Sequence, residues 1–246
     1  MRNGVEDEMD GVDGIGVVVC PGEPLGKLGS FGVSFFCSSE GFFDRCDKFT
    51  DPSALKEYVR TMPTTESKEL LVLRAIDFAA RKHRDQRRED KEATPYINHP
   101  ISVSLVLAEI GGITDAEILS AAILHDTLED TDTTPEELET AFGMRVRKLV
   151  EEVTDDKGLP KAKRKDLQIA HAAQLSPDAV LIKLGDKISN VLDVTHSPPT
   201  DWNMERRREY LDWAEAVVRN CRKVNAALEQ HFSHVLAAGR QVLLIV

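Results

Sequence analysis

The stretch ILHDTLEDTDTT, residues 123–134, sets a His–Asp pair, His125 and Asp126, one helical turn ahead of an acidic pair, Glu129 and Asp130. Residues four apart share a helix face. Glu129 is therefore expected above His125, and Asp130 above Asp126. One imidazole and three carboxylates on neighbouring turns of a buried face repel and desolvate one another at high cost unless a cation stands in front of them. The stretch points to a helical protein whose metal site carries its own acid/base groups.

Helix signals run outward from it on both sides. Upstream, Thr65–Lys82 carries Leu70, Leu73, Ile76, Ala79 and Ala80 at three-to-four spacing. Pro100 suits a first helical position, with His99 at the cap before it and Gly111–Gly112 closing that helix. Thr114 and Glu117 form a capping box for the helix that holds His125 and Asp126. Downstream, Thr134, Pro135 and Glu137 mark a start that Gly143 closes, and Val146, Leu149, Val150 and Val153 make the next stripe. A basic helix is expected from Lys161 to Leu175. Ser176 and Pro177 open another, with Val180, Leu184, Ile188 and Val191 toward the core and Ile182, Asp186, Ser189, Asn190 and Asp193 on the other side. One long last helix from about Asn203 would turn Tyr210, Trp213, Val217, Val224 and Leu228 inward. No strand pattern is convincing, so the expected fold is all-α.

The chain has 246 residues, 41 % hydrophobic and 30 % charged, enough for a full-sized domain and an appendage. Residues 1–62 hold 9 of the 15 Gly and 6 of the 9 Phe and show no lasting amphipathic period, so they read as a weakly ordered N-terminal extension to a domain over 63–246. The net charge of −11 argues against nucleic acid as a partner, because phosphate neutralisation needs a basic excess. No apolar run is long enough to span a bilayer, the acidic start is unlike a targeting peptide, and the cysteine spacings suggest a reducing compartment. No membrane partner and a cytoplasmic location are expected; homo-oligomerisation is left open.

Asp186, in LIKLGDKISN, and His99, in TPYINHP, complete a set of two imidazoles and two carboxylates with His125 and Asp126. Mixed nitrogen and oxygen donors suit a borderline-hard divalent ion such as Mn²⁺. Each residue alone has a plainer reading. A His before Pro is usually a cap or a surface residue, and an Asp on a helix is more often solvated than ligating.

In this order, however, the four resemble the HD-domain metal-dependent phosphohydrolases. AARKHRDQRRED, TPYINHP, ILHDTLEDTDTT, FGMRVRKLVEEVTDDKGLPKAKRK and LIKLGDKISN are similar to the hydrolase domain of the RelA/SpoT family, over about positions 65–240. The likeness is to its short hydrolase-only branch, the SpoT homologues of animals and the small alarmone hydrolases. The resemblance implies an HD-domain helical bundle and one Mn²⁺ ion held by His99, His125, Asp126 and Asp186. It implies Glu129 and Asp130 as the catalytic acidic pair, and a small-molecule substrate, guanosine 3′,5′-bis(diphosphate) (ppGpp), cleaved to GDP and pyrophosphate. Of the basic groups near Arg84–Arg88, Lys161–Lys165 and Arg206–Arg208, it raises Arg88 and Arg206, with Asn190, as nucleotide contacts. His83 has no such claim and reads as a polar helix end.

Three positions depart from the family pattern. Glu89 stands where Lys is common, Ser189 where Tyr is common, and Leu192 where Arg is common. The chemistry is intact while the grip on the nucleotide is altered. Two alternatives follow: an HD-type phosphohydrolase acting on another nucleotide such as NADPH, or a nucleotide-binding regulator with a weakened site.

Overall fold

The structure, a computed structural model, describes residues 67–245. The expected extension and its boundary at 62/63 lie outside them. The helices are α1 (Lys68–Lys82), α2 (Asn98–Glu109), α3 (Ala116–Leu124), the one-turn α4 (Thr127–Asp130), α5 (Pro135–Val153), α6 (Lys161–His171), α7 (Pro177–His196), α8 (Met204–Asn220) and α9 (Ala226–Ile245). No strand forms among the described residues, and an antiparallel bridge between Arg87 and Pro95 is isolated. The all-α expectation holds.

Side-chain caps start most of these helices. Ser67, Thr134, Ser176 and Asn203 each accept a backbone N–H three residues on, each worth about 1 kcal/mol. The cap of α3 is Asp115 rather than Thr114. Its carboxylate accepts from the Glu117 and Ile118 amides, and its charge suits the helix N-terminus better than a hydroxyl does.

Three expectations need correction. The buried stripe of α1 is Ala75, Phe78 and Ala79, whereas Leu70 and Leu73 are 49 % and 62 % exposed, so the helix is rotated by about one residue from the expected face. The last helix is two: the backbone turns extended at Cys221 (ψ 147°). α9 then starts afresh, with Asn225 Oδ1 accepting from Leu228 N at 3.1 Å. α6 stops at His171, and a 3₁₀ turn over Ala172–Gln174 carries the chain on to buried Leu175. At Gly143 the backbone does leave the helix, with φ 85° and ψ 166°, and α5 runs on as two arms across a kink.

The long helix α7 runs through the middle, packed by α2, α5, α8 and α9. It is buried almost all round rather than on one side: Ile182 is as enclosed as Leu184 and Ile188, and Lys183 and Lys187 are buried with them. Gly185 lets α2 approach. A Cβ there would lie 3.1 Å from both Leu107 Cδ2 and Val103 Cγ1. That close contact brings Asp186, the next residue, beside His99 on α2. No helix among the described residues is long and apolar enough to cross a membrane.

Candidate metal centre and active site

His99 and His125 arrive from different elements and meet Asp186. His99 lies inside the first turn of α2, which begins at Asn98, and not at a cap; it is 4 % exposed. His125 is the residue after α3, and Asp126 is the cap position of α4, so a tight turn interrupts the expected continuous helix. Both keep right-handed helical dihedrals, which carries Glu129 and Asp130 round to the cleft side. His99, His125 and Asp186 each offer a ligand atom, all within 4.8 Å of one another. Asp126 Oδ2 lies beside the group, 3.1 Å from His125 Nε2 and 3.9 Å from His99 Nε2.

The outer contacts orient each ligand. His125 Nδ1 donates to the Ala122 carbonyl at 2.7 Å, which turns Nε2 toward the carboxylates. Ser189 Oγ is 3.2 Å from His99 Nδ1, leaving His99 Nε2 inward. Tyr96 OH donates to Asp126 Oδ2 at 2.7 Å. Lys187 Nζ and Asn190 Nδ2 hold the two oxygens of Asp186 at 2.9 and 2.5 Å.

The group fits a cation. His125 Nε2 is buried and has no hydrogen-bond partner among the described residues, an orphaned lone pair aimed at two carboxylates. Burial alone would keep the His125 imidazole neutral, yet Asp126 and then Asp186 outweigh it and push its pKa up to about 9. Burial likewise opposes ionisation of Asp126 and Asp186. Even so, His125 and His99 hold the Asp126 carboxyl well below the usual range, and Lys187 with both histidines does the same for Asp186. Positive charge is favoured between these side chains, whether a proton or a metal supplies it.

Glu129 and Asp130 line the cleft beside this group. Glu129 Oε1 accepts from Arg164 Nη1 at 3.0 Å, and Oε2 from the Asp155 amide at 3.3 Å. Burial, then the charges of Asp155 and Asp126, raise its pKa above the ordinary glutamate value. Asp130 Oδ2 accepts from Gln86 Nε2 at 3.2 Å, while Lys157 pairs with Oδ1.

The cleft over the centre has a volume of about 590 Å³ and meets a second lobe of about 460 Å³ at Arg88, Tyr96 and Asn190. Eight of the nine site residues expected from the sequence line the larger lobe; His125 lies beneath it. Arg88 donates to Asp193 at 2.6 Å and to Asn190 at 3.2 Å. The loop that carries it is pinned by the Arg88–Thr94 and Tyr96–Gln86 backbone bonds. Arg206 lies on the opposite wall, its guanidinium 4.4 Å from the Trp202 ring centre. There Lys165 stands over Tyr210 and Trp213, its pKa lowered by burial and then by Lys161. A crowd of like charges on aromatic faces is a surface made for an anion with a flat ring.

The Tyr common in the family at position 189 implies a ring for stacking on a base, and this position does not offer that. Ser189 is 4 % exposed and sits behind His99, so position 189 presents no face to a base. Tyr210 and Trp213 pack against the core, as expected, and also line the cleft. The sequence gives no sign of the roles of Tyr96, Gln86 and Lys187, and places Arg164 only within a basic group. Tyr96 and Lys187 adjoin motif residues in TPYINHP and LIKLGDKISN, but only the tertiary contacts show whom they hold.

A model of the HD domain matches residues 75–215. This chain belongs to the HD-domain family. Within it the chain falls in the hydrolase-only, SpoT-like branch. Over 164 residues it is 54 % identical to the human protein named guanosine-3′,5′-bis(diphosphate) 3′-pyrophosphohydrolase MESH1, covering 67 % of this chain and 92 % of the relative. The Drosophila melanogaster protein of that name is 51 % identical over 157 residues, covering 64 % and 88 %. A solved structure described as "A metazoan ortholog of SpoT hydrolyzes ppGpp and plays a role in starvation responses" superposes with a TM-score of 0.67 at 48 % identity, covering 68 % of this chain and 94 % of that one. The HD domain implies a divalent metal, and the His99–His125–Asp186 group is where one fits.

Proposed function

We propose that this chain is a Mn²⁺-dependent enzyme that cleaves ppGpp to GDP and pyrophosphate; its relatives are named guanosine-3′,5′-bis(diphosphate) 3′-pyrophosphohydrolase, and the solved structure is described as hydrolysing ppGpp. The observation that carries the reading is a single cleft in which paired carboxylates, a His/Asp cluster and a cationic aromatic wall face one another. His99, His125, Asp126 and Asp186 would hold the one ion, and their mixed nitrogen and oxygen donors suit Mn²⁺. When bound, the ion supplies Lewis acidity toward water and a phosphoryl oxygen.

The chain's own groups account for the rest. Glu129 takes a proton from the attacking water; burial and then Asp155 raise its pKa, which makes it a stronger base than a solvated glutamate. Arg164 and the Asp155 amide fix the direction of that carboxylate. Asp130, held by Gln86 and Lys157, orients the same water. Lys161, Lys165 and Arg206 draw in the phosphates, Arg88 and Asn190 bound the substrate at the junction of the lobes, and Trp202 or Tyr210 offers a face to the base. The acidic pair disfavours a binding-only regulator, which needs no base.

Chelator-washed protein should release pyrophosphate from ppGpp only after Mn²⁺ is restored. Orthophosphate from NADPH with ppGpp left intact would move the substrate, and tight binding without turnover would favour the regulator.

A further inference from the structure

We propose that His83 is a positioning residue that holds Asp130 through Gln86 and Asp126 through Tyr96. The inference rests on the functional reading above. His83 closes α1, its amide bonded to the Ala79 carbonyl at 2.9 Å, and its side chain is buried, 2 % exposed. Its Nδ1 lies 2.7 Å from Gln86 Oε1. Gln86 gives its amide nitrogen to Asp130 Oδ2, so Oε1 is the acceptor and His83 Nδ1 carries the proton. The chain His83–Gln86–Asp130 thus has one direction, and it ends on a carboxylate of the acidic pair.

The same ring holds a second arm. It stacks on Tyr96, with centroids 4.8 Å apart and planes 28° from parallel. Tyr96 in turn donates to Asp126 Oδ2 at 2.7 Å. One imidazole therefore backs both the acidic pair and the ion-binding group, reaching Asp130 and Asp126 at the two ends of α4.

A filler residue at a helix end would not look like this. His83 Nε2 is buried with no hydrogen-bond partner among the described residues, a cost that Phe or Leu would avoid. The fold alone does not call for histidine here. The Gln86 bond does call for an N–H donor, and the Tyr96 stack for a ring.

Three variants separate the arms. His83→Phe keeps the ring and loses the donor. His83→Asn keeps a donor at the Nδ1 position and loses the ring. Gln86→Leu, at a partly exposed position, cuts the Asp130 arm and leaves the His83 ring and its Tyr96 stack in place, though it also removes the acceptor of His83 Nδ1. Loss of an outer-shell partner typically lowers activity or metal affinity about 10–100-fold. On that scale, His83→Phe and Gln86→Leu should lower kcat about tenfold or more, with KM and Mn²⁺ affinity within about twofold of wild type. His83→Asn should recover most of kcat while binding Mn²⁺ several-fold more weakly by titration calorimetry. The proposal is overturned if His83→Phe and Gln86→Leu both keep kcat within about twofold, or if all three lose kcat and Tm in parallel without recovery by Asn. Should His83→Phe not fold, Gln86→Leu decides the Asp130 arm alone. Wild-type protein in the same assay tests the functional reading separately. If it leaves ppGpp intact that reading fails, while the Mn²⁺ affinities still judge the Tyr96 arm.

Discussion

Arg164, on α6, donates from Nη1 to Glu129 Oε1 at 3.0 Å, so the proposed general base is gripped by a cation from another helix. Burial raises the pKa of this carboxylate most, and the charge of Asp155 adds to the rise, opposite in sense to a cation. If Glu129 is the base it must be ionised to act, and its pKa is raised, so activity should fall with decreasing pH sooner than for an unperturbed glutamate. Asp155→Asn removes a negative neighbour and should move that acid limb to lower pH. Arg164→Ala removes a positive one and should move it up, with lower kcat. Profiles of kcat against pH check both signs, and shifts in the same direction would refute the arrangement.

Glu129→Gln should retain metal and lose at least about a hundredfold in kcat, the scale of general acid/base contributions. The amide preserves the shape and can still face Arg164, but it cannot accept a proton from water. A near-native rate would reduce Glu129 to a structural partner of Arg164.

His125→Ala and Asp126→Ala should each abolish metal retention and activity together. Asp126 Oδ2 lies 3.1 Å from His125 Nε2, and either change removes one of the four proposed ligands. Elemental analysis of the purified variants decides this, with wild-type manganese content as the refuting result.

Base stacking is expected on the α8 side of the cleft, not at position 189. Trp202→Ala should raise KM for ppGpp by about five- to a hundredfold, corresponding to roughly 1–3 kcal/mol of stacking, and leave kcat largely unchanged. Ser189→Tyr should not lower KM. It would drive a ring into the buried space behind His99, and a lowered Tm with weaker metal binding is the expected result.

A chain beginning at Met62 should fold and turn over substrate as well as the full chain. Every site residue and the buried core of the described structure lie beyond that point. Loss of solubility or activity would show that the preceding Phe-rich segment completes the core or the cleft.

Local chemistry made much of this molecule legible in advance. The period of apolar residues marks the helices. Ser67, Thr134, Ser176 and Asn203 mark their starts, because a cap is a bond over three residues. The motifs around His99, His125 and Asp186 showed which residues belong together. Errors arose where short-range signals compete. Leu70 and Leu73 fit the helical period as well as Ala75 and Phe78 do, and only the surface offered by α3 chooses between them. Cys221 carries no breaker signature, and the chain turns there because α9 packs back on α7 and α8.

Which residues are near which was the business of the tertiary structure. The sequence by itself determined the helical class, the acidic pair one turn beyond His–Asp, and the list of groups able to bind an ion. Only packing decided that Gly185 would let α2 close on α7 and bring His99 to Asp186, that Ser189 would be sealed behind His99, and that Arg164, Gln86 and Tyr96 would orient the carboxylates. The reason is range. Caps and periodicities are set within a turn or two of chain, whereas a hydrogen bond such as Ser189–His99 joins residues 90 apart, and depends on how whole helix faces fit together.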